Sequence, residues 1–439
     1  MTNRTGGNSV SGVSVAAQLE PLVRTLVPGQ LGVTIKAWDG STLGPEGAAA
    51  TVVIKSPAAI RRLMWAPNEL GLGRAYVAGE LDIDGDVYAA LTMRDNVAEP
   101  DRAARIGGVR QGWLAAVAAA RRVGAIGRPL APPPEEARLS GRRHSKERDA
   151  AAIAHHYDVG NDFYRLVLGE TLTYSCAYFE TDSTSLDDAQ RAKYDLICRK
   201  LALRPGMRLL DVGCGWGGMV LHAAEHHGVD AVGVTLSRAQ QELAAKRVAE
   251  AGLEQQVEIR YQDYRDVVDG PYDAISSIGM FEHVGSEMLG RYFNHLFGLL
   301  RPGGRLLNHG ISRPADMGGR PRFDRNSFID RYVFPDGELC EVGATVTAMQ
   351  EQGFEVRDVE SLREHYARTL RHWVTNLEQN WAEAVALVGQ ARARIWKLYM
   401  AASAMHFEAN RTNLHHVLGV KTTADGRSDM PLTRHDFLG

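Results

Sequence analysis

The amino-acid sequence predicts an α/β fold in which a parallel sheet is covered by helices on both faces. From Met207 onward, short apolar segments alternate with segments of helical length and period, an order that is typical of parallel sheets. The apolar segments are hydrophobic at nearly every position, as expected of strands buried on both faces. Mixed strand-like and helix-like runs precede this region and predict a small α+β domain on its N-terminal side.

The alternation predicts the individual elements in chain order. The strand segments read MRLLDV, VDAVGVTL, VEIRYQD, YDAISSIG and GRLLNHGI. The helical segments between them read GMVLHAAEHHG, SRAQQELAAKRVAEAG and GSEMLGRYFNHLFGLLRPG, and the C-terminal part of the chain is predicted to be mostly helical. Ligands of open α/β sheets bind beyond the carboxyl ends of the strands, so these ends are candidate site segments. They are Asp211–Gly218, Thr235–Ser237, Asp263–Tyr264, Gly279–His283 and Asn308–Ser312.

Changes in composition divide the chain into four segments. Residues 1–19 are predicted to be a flexible tail, 20–125 an N-terminal domain, 126–150 a linker, and 151–439 the sheet domain with C-terminal helices. Consecutive prolines in the linker rule out a continuous helix there. The linker also carries a run of basic residues, Arg138, Arg142, Arg143, Lys146 and Arg148. Two interpretations stay open: a solvated charged surface, or a patch that binds anionic lipid head groups.

Composition and charge exclude several classes of protein. A net charge of −3 gives no overall attraction to nucleic acid. Four cysteines are too few for a disulfide framework in 439 residues. The sequence has no apolar run long enough to span a bilayer and no signal architecture at its N-terminus. We therefore expect a cytoplasmic protein with peripheral contact to the inner face of the cell membrane, and we predict no metal site.

The segment LLDVGCGWGG, Leu209–Gly218, places glycines at alternate positions between a strand and a helix. A glycine loop that opens a helix can hold the pyrophosphate of a dinucleotide. The dinucleotide fold, however, has an acid at the end of its second strand, and here that end reads Thr235-Leu236-Ser237. The missing acid and the glycine spacing argue against a nicotinamide dinucleotide.

The pattern Asp211-x-Gly213-x-Gly215-x-Gly217 resembles the first motif of class I S-adenosylmethionine-dependent methyltransferases. The resemblance implies a Rossmann-like fold with a mostly parallel, seven-stranded sheet. Bare glycine backbone would then approach the methionine and ribose portions of the cofactor closely. In this class an acid after the third strand commonly receives the adenine amino group, which implies that role for Asp263.

Further motifs resemble one branch of that class, the cyclopropane-fatty-acid synthases and mycolic-acid methyltransferases. These motifs are HHYDVGNDFYRLVLGETLTYSCAYF, LLDVGCGWGG, GVTLSRAQ, GMFEHVG and HYARTL. The N-terminal domain resembles the lipid-binding extension of the phospholipid-acting bacterial members. The resemblance implies a homodimer that methylates the cis double bond of an acyl chain in a membrane phospholipid. The resulting carbocation would lose a proton and close to a cyclopropane.

The resemblance also implies roles for residues at the matching positions. A bound bicarbonate or carbonate ion would act as the base, in a site formed by Cys176, Glu282, His309 and Tyr366. The cofactor contacts would come from Tyr174, Ser175, Asp211, Gly213, Gly215, Gly217, Thr235, Leu236, Gln240, Asp263 and Tyr264. Aromatic faces tolerate a carbocation, and Tyr174, Phe281 and Tyr366 lie in matching motifs. The sequence places no acyl-transfer partner beside Cys176, so we do not expect covalent catalysis.

Some alternatives stay open at this point. Ser403 stands where many members of the branch have a cysteine in a late helix. The same alkene methylation can end at a methylene branch, which a separate reductase then saturates. A methyltransferase acting on nitrogen or oxygen of a small molecule, and a catalytically dead lipid-binding protein, are the remaining alternatives.

Overall fold

In the computed structural model of the protein, the described residues are 13–27, 29–93, 105–137, 145–146, 148–149, 159–315 and 327–435. They belong to two compact units, residues 1–136 and residues 137–439. The division between Glu136 and Ala137 falls inside the segment 126–150 that the sequence predicts as a linker.

The first unit contains a small sheet and the helices that flank its strands. Its helices are α1 (Val15–Leu26), α2 (Pro57–Trp65), α3 (Glu69–Val77), α4 (Val87–Thr92) and α5 (Arg105–Arg122). Its strands are β1 (Thr34–Lys36), β2 (Thr42–Leu43), β3 (Ala50–Ile54) and β4 (Leu81–Gly85). They pair in the order β2-β1-β3-β4, and only β1 and β3 run parallel. The α+β character predicted for this part of the chain is confirmed.

Helix α1 begins within the segment 1–19 that the sequence analysis assigns to a flexible tail. The Ser14 side chain caps it by accepting a backbone hydrogen bond from its first turn. Leu19 and Leu22 on its inner side are each 1% exposed, and Val23 is also buried. Residues 15–19 therefore belong to a packed helix, and their assignment to a flexible tail is wrong. The spacing of these apolar residues is the helical signal that the tail assignment overlooks.

The second unit contains the predicted sheet and the helices that cover it. Its helices are α6 (Asn161–Leu168), α7 (Leu186–Leu201), α8 (Gly218–His227), α9 (Arg238–Glu250), α10 (Leu289–Leu299), α11 (Phe328–Tyr332), α12 (Val342–Glu351), α13 (Arg363–Gln379), α14 (Trp381–Val388) and α15 (Gln390–Glu408). Its strands are β5 (Arg208–Val212), β6 (Asp230–Thr235), β7 (Val257–Tyr261), β8 (Tyr272–Ile278), β9 (Leu300–Ser312), β10 (Glu355–Ser361) and β11 (Asn413–Val420). The strands and helices predicted from Met207 to the end of β9 are all present.

The strands of the second unit form one seven-stranded sheet in the order β10-β11-β9-β8-β5-β6-β7. Strands β5 to β9 pair in parallel, whereas β11 runs antiparallel to both β9 and β10. The mostly parallel, seven-stranded Rossmann-like sheet is therefore confirmed. The sequence analysis does not identify β10 or β11, because charged residues in EVRDVES and two histidines in NLHHVLGV interrupt the apolar pattern.

Helices cover both faces of this sheet. Leu210 of β5 belongs to one hydrophobic cluster, together with Phe293 of α10. Its neighbour Leu209 belongs to a second cluster, together with Ile197 of α7 and Val220 of α8. Successive residues of a strand point to opposite faces, so the two clusters lie on opposite sides of the sheet. Nearly continuous apolar strands predict this arrangement.

Part of the basic linker is already paired within the second unit. Lys146 Nζ lies 2.7 Å from the carboxylate of Asp266, and Arg148 Nε lies 2.5 Å from that of Asp336. The Arg148 side chain is only 17% exposed, so this charge is matched internally. Among the helices that the structure describes, none is long and apolar enough to cross a membrane. The other three residues of the basic run lie outside the described part of the chain: Arg138, Arg142 and Arg143.

Candidate cofactor and catalytic site

The glycine loop between β5 and α8 has a left-handed backbone at alternate residues. Gly213, Gly215 and Gly217 have φ angles of 80°, 54° and 82°, which residues with a Cβ atom seldom adopt. A Cβ at Gly215 would meet no described atom within 4 Å beyond its chain neighbours. A Cβ at Gly217 would lie 3.2 Å from the Cβ of Ala244 in α9. Gly215 therefore leaves open space, whereas Gly217 permits two helices to pack closely.

The loop borders a cavity at the carboxyl ends of β5, β6 and β8. The tertiary structure brings most of the predicted cofactor residues to its wall, while their contacts with a cofactor stay a prediction. Gly217 and Asp263 are the two predicted residues that do not line this cavity. The predicted residues that do line it are Tyr174, Ser175, Asp211, Gly213, Gly215, Thr235, Leu236, Gln240 and Tyr264.

An aspartate and a lysine are buried in the cavity wall. Asp211 is 2% exposed, and burial raises its pKa to about 6 although Ser276 Oγ donates a 2.6 Å hydrogen bond to it. Lys193 of α7 is fully buried, donates to Ser175 Oγ at 2.9 Å, and has its pKa lowered by burial to about 7. The sequence analysis misses Lys193, because a lysine in an amphipathic helix normally indicates a solvent-facing position.

The polar residues after β6 orient one another. Thr235 Oγ1 donates to Gln240 Oε1 at 2.8 Å and accepts from the Ser237 backbone N–H at 3.2 Å. Ser237 Oγ in turn accepts from the backbone N–H of Gln240 and so caps α9. Thr235 and Gln240 thus combine a local structural role at a helix N-terminus with a position in the cavity wall.

Asp263 lies beside the cavity but is engaged by an arginine. Arg265 donates to the Asp263 carboxylate from Nε at 2.8 Å and from Nη2 at 2.6 Å. Burial opposes ionisation of Asp263, but these hydrogen bonds outweigh it and lower the pKa of the carboxyl group. Arg265 also borders a second, smaller cavity, together with Asp149, Leu236 and Tyr264. The contact of Asp263 with an adenine amino group stays a prediction.

Glu282 follows β8 in a short 3-10 turn, Phe281–His283. Its Oε1 accepts a hydrogen bond of 2.6 Å from the backbone N–H of Ile311 in β9. Its Oε2 is buried and has no hydrogen-bond partner in the described part of the chain. Burial raises the pKa of this carboxyl group to about 7. Glu282 can therefore carry a proton on Oε2 near neutral pH.

His309 lies within β9 and is 1% exposed. Its Nδ1 is 2.8 Å from Nε2 of His416, the residue opposite it in β11. Its Nε2 is buried and has no partner among the residues that the structure describes. Burial holds the pKa of His309 far below its usual range, so the ring is neutral. His416 is not among the predicted residues, because the sequence analysis does not identify β11.

Cys176 and Tyr366 meet at the start of α13. The Cys176 thiol is fully buried and contacts the carbonyl oxygens of Ala177 at 3.2 Å and Leu362 at 3.7 Å. The backbone N–H of Tyr366 donates to the same Leu362 carbonyl at 3.1 Å. Burial raises the pKa of the Cys176 thiol, which therefore stays protonated and is a poor nucleophile. The geometry agrees with a non-covalent role.

Strand β11 connects the region of Cys176 and Tyr366 to the region of Glu282 and His309. The backbone N–H of Leu362 donates to Leu414 O at 2.9 Å, and Leu414 lies opposite Ile311 in the sheet. Ile311 is the residue whose N–H binds Glu282. The four predicted catalytic residues thus converge on the region where β9, β11 and α13 meet, although they are widely separated in sequence: Cys176, Glu282, His309 and Tyr366.

An aromatic cluster adjoins the cavity. The Tyr174 ring lies 5.2 Å from that of Trp373 and 5.6 Å from that of Trp396, and its hydroxyl donates to Tyr399 at 3.3 Å. The Tyr366 ring packs edge-on against Trp373 at 6.0 Å. Trp373, Trp396 and Tyr399 come from α13 and α15, and the sequence analysis does not single them out. Their apolar helical spacing alone indicates only ordinary core positions.

Two further positions are clarified by packing. The Phe281 ring packs so closely on the Gly310 backbone that a Cβ there would overlap it, at 2.0 Å from one ring carbon. Gly310 therefore allows the turn that carries Glu282 to approach β9. Ser403, which replaces a cysteine of the family pattern, is a buried residue of α15.

These features together define the class of the protein. A seven-stranded sheet with an antiparallel β11, and a left-handed glycine loop that opens on a cavity at the strand ends, are the fold and cofactor site of a class I S-adenosylmethionine-dependent methyltransferase. A family model described as mycolic acid cyclopropane synthetase matches residues 144–417. The chain belongs to this family, and it is a methyltransferase.

Relatives of known name agree with this membership. The chain is 46% identical over 431 residues to a Mycobacterium tuberculosis protein named "Probable fatty acid methyltransferase", and the match covers 96% of this chain and 97% of the relative. It is 37% identical over 294 residues to the cyclopropane-fatty-acyl-phospholipid synthase of Escherichia coli, covering 66% of this chain and 74% of the relative.

Solved structures give the same result. The mycolic acid cyclopropane synthase CmaA1, in complex with SAH and CTAB, aligns with a TM-score of 0.58 at 35% identity, covering 62% of this chain and 97% of that one. The cyclopropane synthase MmaA2 from Mycobacterium tuberculosis also aligns with a TM-score of 0.58, at 33% identity, covering 63% of this chain and 99% of that one.

Proposed function

We propose that the protein transfers a methyl group from S-adenosylmethionine to the cis double bond of an acyl chain in a membrane phospholipid and forms a cyclopropane. The observation that carries the proposal is a pair of buried polar atoms without described partners, Glu282 Oε2 and His309 Nε2. Met280 and His283, which flank Glu282, line the cofactor cavity. Glu282 therefore lies in a turn whose neighbouring residues border the place where the methyl donor would bind.

The names of the relatives support a lipid substrate. The Escherichia coli relative is named for fatty-acyl phospholipids, and the others are named for fatty acids or mycolic acids. All of these are long acyl chains. We carry the phospholipid over to this chain from the name of the Escherichia coli relative. Two relatives that match 96% of this chain are named for fatty acids rather than for mycolic acids, which agrees with that choice.

An alkene is a weak nucleophile that carries no proton to remove before it attacks. Bound S-adenosylmethionine supplies the electrophilic methyl of its sulfonium. The residues of this chain then have to align the two partners, exclude water, and stabilise positive charge on the acyl chain. The rings of Tyr174, Trp373 and Trp396 offer π faces for that charge.

The unpartnered atoms fit an anion better than a cation. His309 is neutral and can donate from Nε2, while Glu282 has a pKa of about 7 and can donate from a protonated Oε2. Two buried donors suit a bicarbonate ion, which would supply a base for the proton lost by the substrate. Glu282 and His309 would hold that ion, with Cys176 and Tyr366 in the surrounding wall.

A methylene branch is the second candidate product. It arises when the same carbocation loses a different proton, and a separate reductase would then saturate it. Two relatives are named as fatty acid methyltransferases and not as cyclopropane synthases. For this reason the experiment below also tests for the methylene branch. A homodimer and peripheral binding to anionic membranes complete the proposal.

Mass spectrometry of fatty acids from cells that express the protein and receive oleate tests this function. We expect a product heavier than oleate by one methylene group and labelled by an isotopic methyl donor. Derivatisation of double bonds then separates the products, since a cyclopropane resists it and a methylene branch reacts. Absence of labelled fatty acid, while the purified protein binds the cofactor, would contradict the proposal and favour a small-molecule acceptor.

A further inference from the structure

The side chains behind His309 form a buried hydrogen-bonded chain. Lys200 Nζ lies 2.5 Å from Glu360 Oε2, 3.1 Å from Asp358 Oδ2 and 3.4 Å from His416 Nδ1. His416 Nε2 lies 2.8 Å from His309 Nδ1. Lys200 and His416 are fully buried, and His309 is 1% exposed. The chain therefore runs from an ion-paired lysine to the candidate anion site without contact with solvent.

The lysine fixes the direction of every hydrogen bond in this chain. An ammonium group between two carboxylates has donors and no acceptor, so His416 Nδ1 must accept. Burial keeps the pKa of both histidines far below the usual range, and a neutral imidazole carries one N–H. His416 therefore carries its proton on Nε2 and donates to His309 Nδ1. The one proton of His309 is then on Nε2.

The opposite direction is unfavourable. If His309 donated from Nδ1, His416 Nε2 would accept and His416 Nδ1 would carry the proton. That N–H would face the ammonium of Lys200, placing two donors 3.4 Å apart in a buried site. His309 Nε2 would also present a lone pair to the site where Glu282 and His309 are proposed to hold an anion.

We propose that Lys200 and His416 are positioning residues that fix the Nε2–H tautomer of His309, so that His309 donates a hydrogen bond to the catalytic anion. The anion rests on the proposed function, whereas the tautomer rests on the hydrogen-bonded chain alone. Partners of this kind commonly set the tautomer and orientation of a functional histidine. Neither residue has to touch substrate or cofactor.

Long-range ¹H–¹⁵N NMR of protein with labelled histidine tests the tautomer, with His309→Gln identifying the resonance. We expect His309 to be protonated at Nε2 in the wild-type protein. His416→Leu should shift His309 towards the Nδ1–H form and raise the bicarbonate concentration needed for half-maximal turnover about tenfold. His416→Gln, which can accept from Lys200 and donate to His309, should preserve the Nε2–H form.

His415→Leu is the matched control. His415 is adjacent on β11 and also bonds a β9 residue, with Nδ1 2.8 Å from Ser312 Oγ, but it points to the other face of the sheet. It should leave the His309 tautomer unchanged. An Nδ1–H tautomer in the wild-type protein, or an unchanged tautomer in His416→Leu, would overturn the proposal. The expected tautomer in a protein that methylates no lipid would contradict the proposed function alone.

A separate cluster lies between α7 and α8. Cys198 of α7 and His222 and His227 of α8 each offer one donor atom, and these atoms lie within 4.8 Å of one another. The Nε2 atoms of both histidines are buried without a hydrogen-bond partner in the described residues. His227 Nε2 also lies 3.4 Å from Asp195 Oδ1, an ion pair only when the histidine is protonated.

We infer that Cys198, His222 and His227 bind a Zn²⁺ ion. Thiolate and imidazole are ligands of zinc sites, and three protein ligands leave the fourth tetrahedral position to an exogenous ligand such as water. Such an ion would deprotonate the Cys198 thiol and join α7 to α8. The sequence analysis predicts no metal site, because no pair of closely spaced cysteines accompanies His222 and His227, and Cys198 is a single cysteine well upstream of them.

Metal analysis of the full-length protein after incubation with zinc and desalting tests this site. We expect one zinc per chain, and a thiolate-to-cobalt absorption band when Co²⁺ replaces zinc. Cys198→Ser should abolish the band, and His222→Gln should lower retention. His226→Gln is the matched control, since His226 is on the same helix, 53% exposed and outside the cluster. No retained zinc, or equal retention in Cys198→Ser, would overturn the inference.

Discussion

At Glu282 the two carboxyl oxygens have different surroundings, since Ile311 donates to Oε1 while Oε2 is buried without a described partner. We expect Glu282→Ala to lower kcat by about 100-fold or more, the range of general acid–base groups, while the Kd of S-adenosylmethionine stays unchanged. Glu282→Gln should retain more activity, because an amide can accept from Ile311 and donate in place of Oε2. Assays on phospholipid vesicles and cofactor titrations measure both quantities, and weakened cofactor binding in Glu282→Ala would contradict the assignment.

The pKa of Glu282 also predicts a pH-dependent stability. Burial raises the pKa from 4.5 to about 7, so the folded state holds this proton more tightly than the unfolded state. The contribution to stability is complete below pH 4.5 and is lost as the pH rises through about 7. Relative to Glu282→Gln, the wild-type free energy of unfolding should fall by up to about 3 kcal/mol over this range.

Urea unfolding of both proteins across this pH range measures the difference. All other ionisable groups are common to the two proteins. They include Lys193, whose lowered pKa makes the free energy of unfolding rise with pH rather than fall. The comparison therefore isolates Glu282. Parallel pH profiles of wild type and Glu282→Gln would show that this carboxyl group ionises normally.

Gly215 should be required for the cofactor rather than for the fold. Its φ of 54° is strained for valine, and the side chain of Gly215→Val would enter the cavity. Gly252→Val is the matched control, because Gly252 has a φ of 69° and equally open surroundings but does not line the cavity. We expect cofactor binding to be lost only in Gly215→Val, as measured by calorimetric titration. Normal titration of that variant would contradict our interpretation of the loop.

Among the elements of the chain, the linker carries the prediction about membranes. Lys146 and Arg148 pair with carboxylates, so any binding to anionic lipid should depend on the remaining basic residues. Each basic residue near an anionic surface contributes about 1 kcal/mol, or roughly fivefold in affinity. We expect glutamine at those positions to weaken binding to vesicles containing phosphatidylserine, and added salt to weaken wild-type binding in the same way. The residues replaced are Arg138, Arg142 and Arg143.

Sedimentation of vesicles with the bound protein provides the measurement. Lys246→Gln is the control. Lys246 is 70% exposed on α9, so this substitution removes a surface charge outside the linker. If the triple variant binds vesicles as well as the wild type does, and salt does not weaken the binding, the linker is an ordinary solvated surface.

Strand β11 shows where an element escapes sequence analysis. It lies between β10 and β9 in the interior of the sheet, yet its segment NLHHVLGV contains two adjacent histidines. His416 is fully buried because His309 and Lys200 hydrogen-bond to it. Those partners are distant in sequence. The two histidines therefore interrupt the apolar pattern of the strand, and the sequence does not show the hydrogen bonds that offset the cost of burying His416.

For the whole molecule, the two units have different predicted tasks. The second unit contains the cofactor cavity and the four candidate catalytic residues, whereas the first contains the α+β sheet that resembles a lipid-binding extension. We expect the full-length protein to crosslink to an unsaturated phospholipid with a photoreactive head group, with adducts within residues 20–125. Mass spectrometry of the peptides locates the adducts, and a saturated lipid without the cis double bond is the control. Adducts confined to the second unit would contradict a lipid-binding role of the first.

The α/β class, the strands β5 to β9 and the glycine loop could all be predicted from the amino-acid sequence. These depend on local patterns, namely hydrophobic periodicity and glycines whose positive φ angles exclude other residues. The strand-end rule also selected segments that contribute to the cavity, Asp211–Gly218, Thr235–Ser237 and Gly279–His283, because the carboxyl ends of parallel strands meet at one edge of a sheet. The motif resemblance supplied Cys176, Glu282, His309 and Tyr366.

Which polar residues are buried together depends on how distant segments of the chain pack, and it could not be predicted from the sequence. The ionisation of Lys193 and Glu282, the partners of His309, and the engagement of Asp263 by Arg265 all depend on side chains far apart in sequence. Burial penalises a charge, and a partner compensates for it, only after the chain has folded. No local pattern carries that information, and for this reason the chain from Lys200 through His416 to His309 is visible only in the folded protein.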